Sequence, residues 1–206
     1  MRNTIEKTSV FGVLVNSYRL SKGKMREVAV EKDALPAITL EMYLWWFRNI
    51  TTSFRYRMWH PNDHISFSRE IPLNGDFDNE QNVLAELKFG NYNPSILHIS
   101  KKVIKSISKE NTLRYSINSS ILDSNLNDLA CINSKLREIK TGLEIEFKFI
   151  LPSDTPINFI NSMKKHIREE NTHLVEFLPT FYKENIKREE LFKFEKITGK
   201  YFIREL

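Results

Sequence analysis

The chain has 206 residues, of which 41% are apolar and 28% charged. Those are the proportions of an ordinary folded globular protein and exclude a disordered one. The net charge of +5 is modest, and the lysine patches near Lys22, Lys101 and Lys183 alternate with acids or apolar residues, as on a solvated surface. One cysteine, Cys131, excludes an intrachain disulfide and a Cys-rich zinc module. No charged segment followed by a long apolar run opens the chain, and no stretch approaches the ~20 apolar residues of a membrane helix. A soluble, cytoplasmic protein is expected, one domain over residues 1–206, with neither nucleic-acid nor membrane partner. A homodimer is allowed.

In chain order, Phe11 to Val15 is β-branched enough for a strand and is followed by a Ser21-Lys22-Gly23-Lys24 turn. After Pro36, residues Thr39 to about Ser53 suit a helix with Thr39 as N-cap, and Met42, Trp45, Trp46 and Ile50 form its apolar stripe. Next comes the densest stretch, Arg55-Tyr56-Arg57-Met58-Trp59-His60-Pro61-Asn62-Asp63-His64, with a strand from His64 to Ser68. That strand should carry His64 and Ser66 on one face. Pro72 to Asp76 reads as a turn. Val83 to Phe89 alternates as a strand, Ser95 to Ile104 is the next, and Leu113, Tyr115 and Ile117 mark another. Between Ser119 and Lys140 the pattern is weak, and Ser124 to Asp128 argues for a loop. Leu143 to Leu151 alternates most clearly, apolar at odd positions.

After Pro152 to Pro156 a long helix should run to about Leu178 and stop at Pro179. Phe159, Ile160, Met163, Ile167, Leu174, Phe177 and Leu178 fall on one face, with Glu170 near its middle and His166 one turn earlier. The tail from Phe181 to Leu206 should pack on the core.

A carboxylate on a buried helix face costs several kcal/mol unless something meets it. Glu170 therefore needs either an internal ion pair, with Arg55 or Arg57 as partner, or a cation shared with His166 at i, i+4 spacing. His60 and His64 weigh toward the cation, although His60 serves equally as a hydrogen-bonded neighbour. His98 reads as structural and His173 as a reserve ligand. Glu86 is a lone acid in an alternating strand, and the pattern alone favours exposure on the outer face. Two imidazoles with one or two carboxylates favour Zn, with Fe, Mn or Ni not excluded.

Leu40-Glu41-Met42-Tyr43-Leu44-Trp45-Trp46-Phe47 followed by Tyr56-Arg57-Met58-Trp59-His60-Pro61-Asn62-Asp63-His64 resembles the 2,4-diacetylphloroglucinol hydrolase and phloretin hydrolase family. So does His166-Ile167-Arg168-Glu169-Glu170, continuing through His173 to Pro179 and Tyr182. The resemblance implies an α+β helix-grip fold, a curved antiparallel sheet around a long C-terminal helix with a cavity between them. It implies a mononuclear zinc held by two His and two Glu: His64, His166 and Glu170 by motif, and Glu86 as the strand glutamate. Tyr56 matches a tyrosine that contacts the phenolic substrate. Trp45, Trp46, Trp59 and His60 would line the substrate site, and His98, Tyr92 and Tyr115 are candidates for further contacts. The implied reaction is hydrolysis of a carbon–carbon bond between an acyl group and a polyhydroxylated ring, in a small phenolic ketone. The competing reading is a helix-grip protein that binds an apolar or aromatic molecule without catalysis.

Overall fold

The computed structural model describes residues 9–69, 80–107, 113–186, 192–197 and 200–205. Its first element corrects the expected strand. Helix α1 (Val10–Leu20) forms instead, because Ser9 caps it by accepting the Gly12 N–H at 3.1 Å, and Val10, Val13, Leu14 and Ser17 bury one helical face. Strand β1 (Met25–Pro36) follows the expected turn.

Two helices then cross toward the sheet. Thr39 caps α2 (Leu40–Asn49) as expected, through the Met42 N–H at 3.1 Å. The helix ends earlier than its composition suggested. Thr52 restarts the chain as a separate short helix, α3 (Ser53–Trp59), which ends at His60. Arg55 lies buried between them, donating to the Asn49 carbonyl and the Thr51 hydroxyl. It thereby tethers the inter-helix corner, and the ion pairs of Glu170 among the described residues are with His64 and His166.

Strands β2 (His64–Arg69), β3 (Glu80–Leu87), β4 (Ser95–Ile107), β5 (Leu113–Leu122), β6 (Asp128–Ile139) and β7 (Gly142–Pro152) complete the sheet. Its order is β1-β7-β6-β5-β4-β3-β2, antiparallel throughout. The weak stretch after Ser119 thus contains the end of β5, the expected turn near Ser124 and all of β6. Its serines and asparagines dilute the apolar alternation without preventing the ladder. Pro72 to Asp76 lies outside the described residues.

Helix α4 (Ile157–Asn185) lies against the sheet. Phe159, Ile160, Met163, Ile167, Leu174 and Leu178 are buried, and so are His166 and Glu170. Pro179 is inside the helix and does not stop it. The last turns are held by α2, where Trp46 meets Phe177 and Phe181 edge-on at 5.0 and 5.8 Å. Packing of this size outweighs the cost of one missing N–H. Beyond α4, β8 (Phe192–Ile197) and β9 (Lys200–Glu205) pair as a separate hairpin. No helix among the described residues is long and apolar enough to cross a membrane. The architecture is the expected helix-grip: a curved antiparallel sheet gripping a long helix near the C-terminus.

Candidate metal centre

The site forms where the α3–β2 junction meets the middle of α4. Asp63 and His64 follow a turn at Pro61, and the His64 N–H returns to the His60 carbonyl at 3.0 Å. A bulge then decides where His64 points. His64 pairs with Leu87 and Ser66 pairs with Glu86, so two residues of β2 oppose one of β3. The extra residue switches the alternation. His64 shares a face with Leu87, Ala85 and Phe67, which line the cavity, while Ser66 and Glu86 share the other face. The expectation that His64 and Ser66 share a face is therefore corrected.

Three side-chain atoms converge from opposite ends of the sequence. His64 Nε2 lies 3.0 Å from Glu170 Oε1 and 3.3 Å from His166 Nε2, and His166 Nε2 lies 3.4 Å from Glu170 Oε1. All three residues are buried. The far side of each imidazole fixes its orientation. His64 Nδ1–H donates to the Tyr56 carbonyl at 2.8 Å, and His166 Nδ1–H donates to Asp63 Oδ2 at 3.0 Å. Both Nε2 lone pairs consequently face the carboxylate and each other. Imidazoles steered by a carbonyl or carboxylate in this way are the usual supports of a bound metal. A tetrahedral zinc, with bonds of about 2.0–2.2 Å, sets its ligand atoms about 3.3–3.6 Å apart. The donor set and its spacing fit a divalent cation.

Charge in the cluster follows from competition between burial and partners. Burial opposes a charge on His166, but Glu170 and Asp63 outweigh it and raise its pKa to about 9. Burial also opposes ionisation of Glu170, and His166 and His64 hold it far below the usual carboxylate range. His64 has no such surplus, so burial lowers it to about 4 despite Glu170. Without a cation, the triangle is reconciled by one proton on His166.

His60, Asp63 and His166 form a second group of potential ligand atoms, but its atoms are already engaged. His60 Nδ1 accepts the Asp63 N–H at 3.2 Å, and its Nε2–H donates to Glu169 at 3.3 Å. Its ring stacks on His166 at 4.4 Å. Asp63 Oδ2 also accepts the Gly90 N–H at 3.3 Å. His60 and Asp63 position the neighbouring ligand. Asp63 was part of the sequence block and carries a role that spacing alone did not reveal.

The other expected site residues divide. Tyr56 is buried, lines the cavity and stacks on His64 with ring centroids 3.7 Å apart. Burial, then Glu170 and Asp63, keep its hydroxyl protonated. Trp59 lines the cavity as expected. His60, Trp45 and Trp46 are not among its lining residues: both tryptophans are spent on the α2–α4 contact, Trp45 meeting Tyr182 at 5.2 Å. Glu86 is not brought to the triangle, since it lies on the outer face and accepts the Ser66 hydroxyl at 2.9 Å. The residues of β3 that do face the cavity are Val83, Ala85 and Leu87. His98 lies on the non-cavity face of β4, half-buried, and His173 is half-buried beside Glu176 at 3.4 Å. The alternating lysine patch around Lys101 points to a solvated surface, yet Lys101 itself lines the cavity. Its phase with Leu97 and Ile99 was the available signal.

Residues 16–91 match the family model of the DAPG hydrolase PhiG domain. Over that stretch, which is less than half of the chain, the sequence is similar to the DAPG hydrolases. The matched residues run from the end of α1 through β3 and include Asp63 and His64, and the match supports a hydrolase of that family. No curated protein matches the sequence. Among solved structures, the KanY protein (ms6282) is similar at 9% identity and a TM-score of 0.50, over 74% of this chain and 98% of that one. Ara h 8.0201 is similar at 12% identity and a TM-score of 0.44, over 76% and 99%. Protein MLL2253 from Mesorhizobium loti gives 10% identity and a TM-score of 0.41, over 75% and 98%. At these identities the likeness concerns the fold alone.

Proposed function

We propose that this protein is a metal-dependent hydrolase that cleaves a carbon–carbon bond between an acyl group and a polyhydroxylated aromatic ring. The observation that carries this reading is the buried triangle of His64, His166 and Glu170, two of whose members, His166 and Glu170, line a largely apolar, aromatic-walled cavity. A cavity that only held an apolar molecule would gain nothing from a buried carboxylate between two imidazoles.

His64, His166 and Glu170 would hold the metal, with zinc favoured by two imidazole nitrogens and one carboxylate. Three protein ligands match catalytic rather than structural zinc sites. When bound, the ion supplies Lewis-acid polarisation of a carbonyl and acidification of water. The protein's own residues do the rest. Asp63 fixes the His166 ring, and the Tyr56 carbonyl fixes that of His64. The Tyr56 hydroxyl stays a neutral donor for a ring oxygen, and Trp59, Phe47 and Phe67 enclose a flat ring and exclude water.

The test is the zinc content of the purified protein and of His166→Ala, followed by turnover of acylated phenols. About one zinc per chain, lost in the variant together with hydrolysis, supports the proposal. Absence of metal after reconstitution with zinc sinks it. The second reading, a non-catalytic binder of aromatic molecules, draws on the preponderance of apolar residues in the cavity wall. It would be favoured by tight phenol binding without turnover.

A further inference from the structure

Lys101 is the cation of the cavity that the proposed chemistry leaves without a task. It lies on β4 in phase with Leu97 and Ile99, and all three side chains line the cavity. Its Nζ stands over two rings, 5.1 Å from the centroid of Phe47 and 5.7 Å from that of Trp59. Glu170 acts on it through space, and no ion pair links Lys101 to any carboxylate among the described residues. An ammonium set in an apolar cavity is costly, and ring faces return only part of what water gave it. Its placement makes sense as a receptor.

We propose that Lys101 is the specificity-determining residue of this cavity, pairing its ammonium with an ionised oxygen on the ring of a flat phenolic ligand. This rests on reading the cavity as the site of a phenolic ketone. Three features select that ligand. Phe47, Trp59 and Tyr56 provide flat aromatic walls. Ser119 lies opposite Lys101 in the β4–β5 register and lines the same cavity, adding a neutral hydroxyl beside the charge. One ammonium with one hydroxyl suits a single oxygen, whereas a carboxylate would press a second charged oxygen against Val83, Ile99 and Ile117. A ring oxygen held there leaves the ring's other substituents free to face Glu170.

Binding is measured by tryptophan quenching on metal-stripped protein, so the result does not depend on hydrolysis. The probes are trihydroxyacetophenone, its tri-O-methyl ether and para-acetylbenzoate. The wild type should prefer the trihydroxy compound over the ether by about tenfold or more, the scale of one charge-assisted contact. Lys101→Met should erase that preference by weakening binding of the trihydroxy compound relative to the ether by about tenfold or more, and Lys101→Arg should retain most of it. If Lys101→Met does not fold, Lys101→Gln carries the same comparison. A preference that survives loss of the ammonium, or a wild type that binds none of the probes, overturns the proposal. So does tighter binding of para-acetylbenzoate than of the phenol. Failure of the hydrolase reading is distinguishable, because metal and turnover would be absent with the Lys101-dependent preference intact.

Discussion

Asp63 Oδ2 accepts a hydrogen bond from His166 Nδ1 at 3.0 Å, between two buried side chains 103 positions apart in the sequence. This contact aims His166 Nε2 at Glu170 and His64. Asp63→Asn keeps an acceptor but loses the charge. It should weaken zinc affinity by about 10–100-fold, the usual effect of losing such a support. Competition titration against a chelator measures this, with circular dichroism confirming the fold. Unchanged affinity would mean that Asp63 does not orient the ligand.

Zinc uptake should depend on pH through His166. Its pKa is raised to about 9, so below that value a metal must displace its proton. Affinity should therefore rise with pH up to about 9, by about tenfold per unit, and flatten above. Calorimetry in buffers of different ionisation enthalpy should find about one proton released at neutral pH. A flat profile would place the metal elsewhere.

Glu86→Gln should leave zinc content and affinity unchanged. The side chain lies on the outer face of β3, bonded to Ser66, and a glutamine preserves that bond. Stability should change by less than about 0.5 kcal/mol, as at ordinary surface positions. A variant that lost metal would restore Glu86 as a ligand.

Lys101→Met should stabilise the protein at neutral pH. Burial lowers the Lys101 pKa from 10.5 to about 8, so the folded state carries a penalty while the ammonium is charged. That penalty is fully present below about 8. It disappears as pH rises toward 10.5, because the unfolded chain still binds a proton that the folded one has released. The gain from Lys101→Met should be on the order of 1–3 kcal/mol near neutrality and shrink through that window. Urea unfolding at several pH values reads it. A gain that does not vary with pH would rule out desolvation of the ammonium as its cause.

Trp46 separates packing from chemistry. It is fully buried against Phe177 and Phe181, and its indole nitrogen has no hydrogen-bond partner among the described residues. Trp46→Ala should cost about 3–5 kcal/mol. Trp46→Phe should cost less than about 1.5 kcal/mol, since it keeps an aromatic contact and removes an unpaired donor. Zinc affinity should be unchanged in Trp46→Phe. Denaturant unfolding and zinc titration check the two halves.

Much of the sheet was legible because its strands alternate, as in Leu143 to Leu151, and α4 because Phe159 to Leu174 repeat at helical spacing. His166 and Glu170 were legible together for the same reason. A local pattern misleads where it is overruled from outside it. Phe11 to Val15 looks extended, yet Ser9 caps a helix. Pro179 looks like a stop, yet the aromatic contacts of α2 carry α4 past it. The face of His64 depends on one unpaired residue in β2, which no periodicity shows. The charged neighbours of Lys101 mask its phase with Leu97 and Ile99. Asp63 could not be assigned because its partner lies on α4.

The ties that join the two halves of the site are distant in sequence: His64 to His166 spans 102 positions, Asp63 to His166 spans 103, and His60 to Glu169 spans 109. None can close until the strands between have formed and α4 has returned across them. Such non-local closures come late in folding. A partly folded chain therefore has no coherent binding centre to offer. Uptake of the ion should lag behind the burial of Trp46, making it a timer for completed assembly.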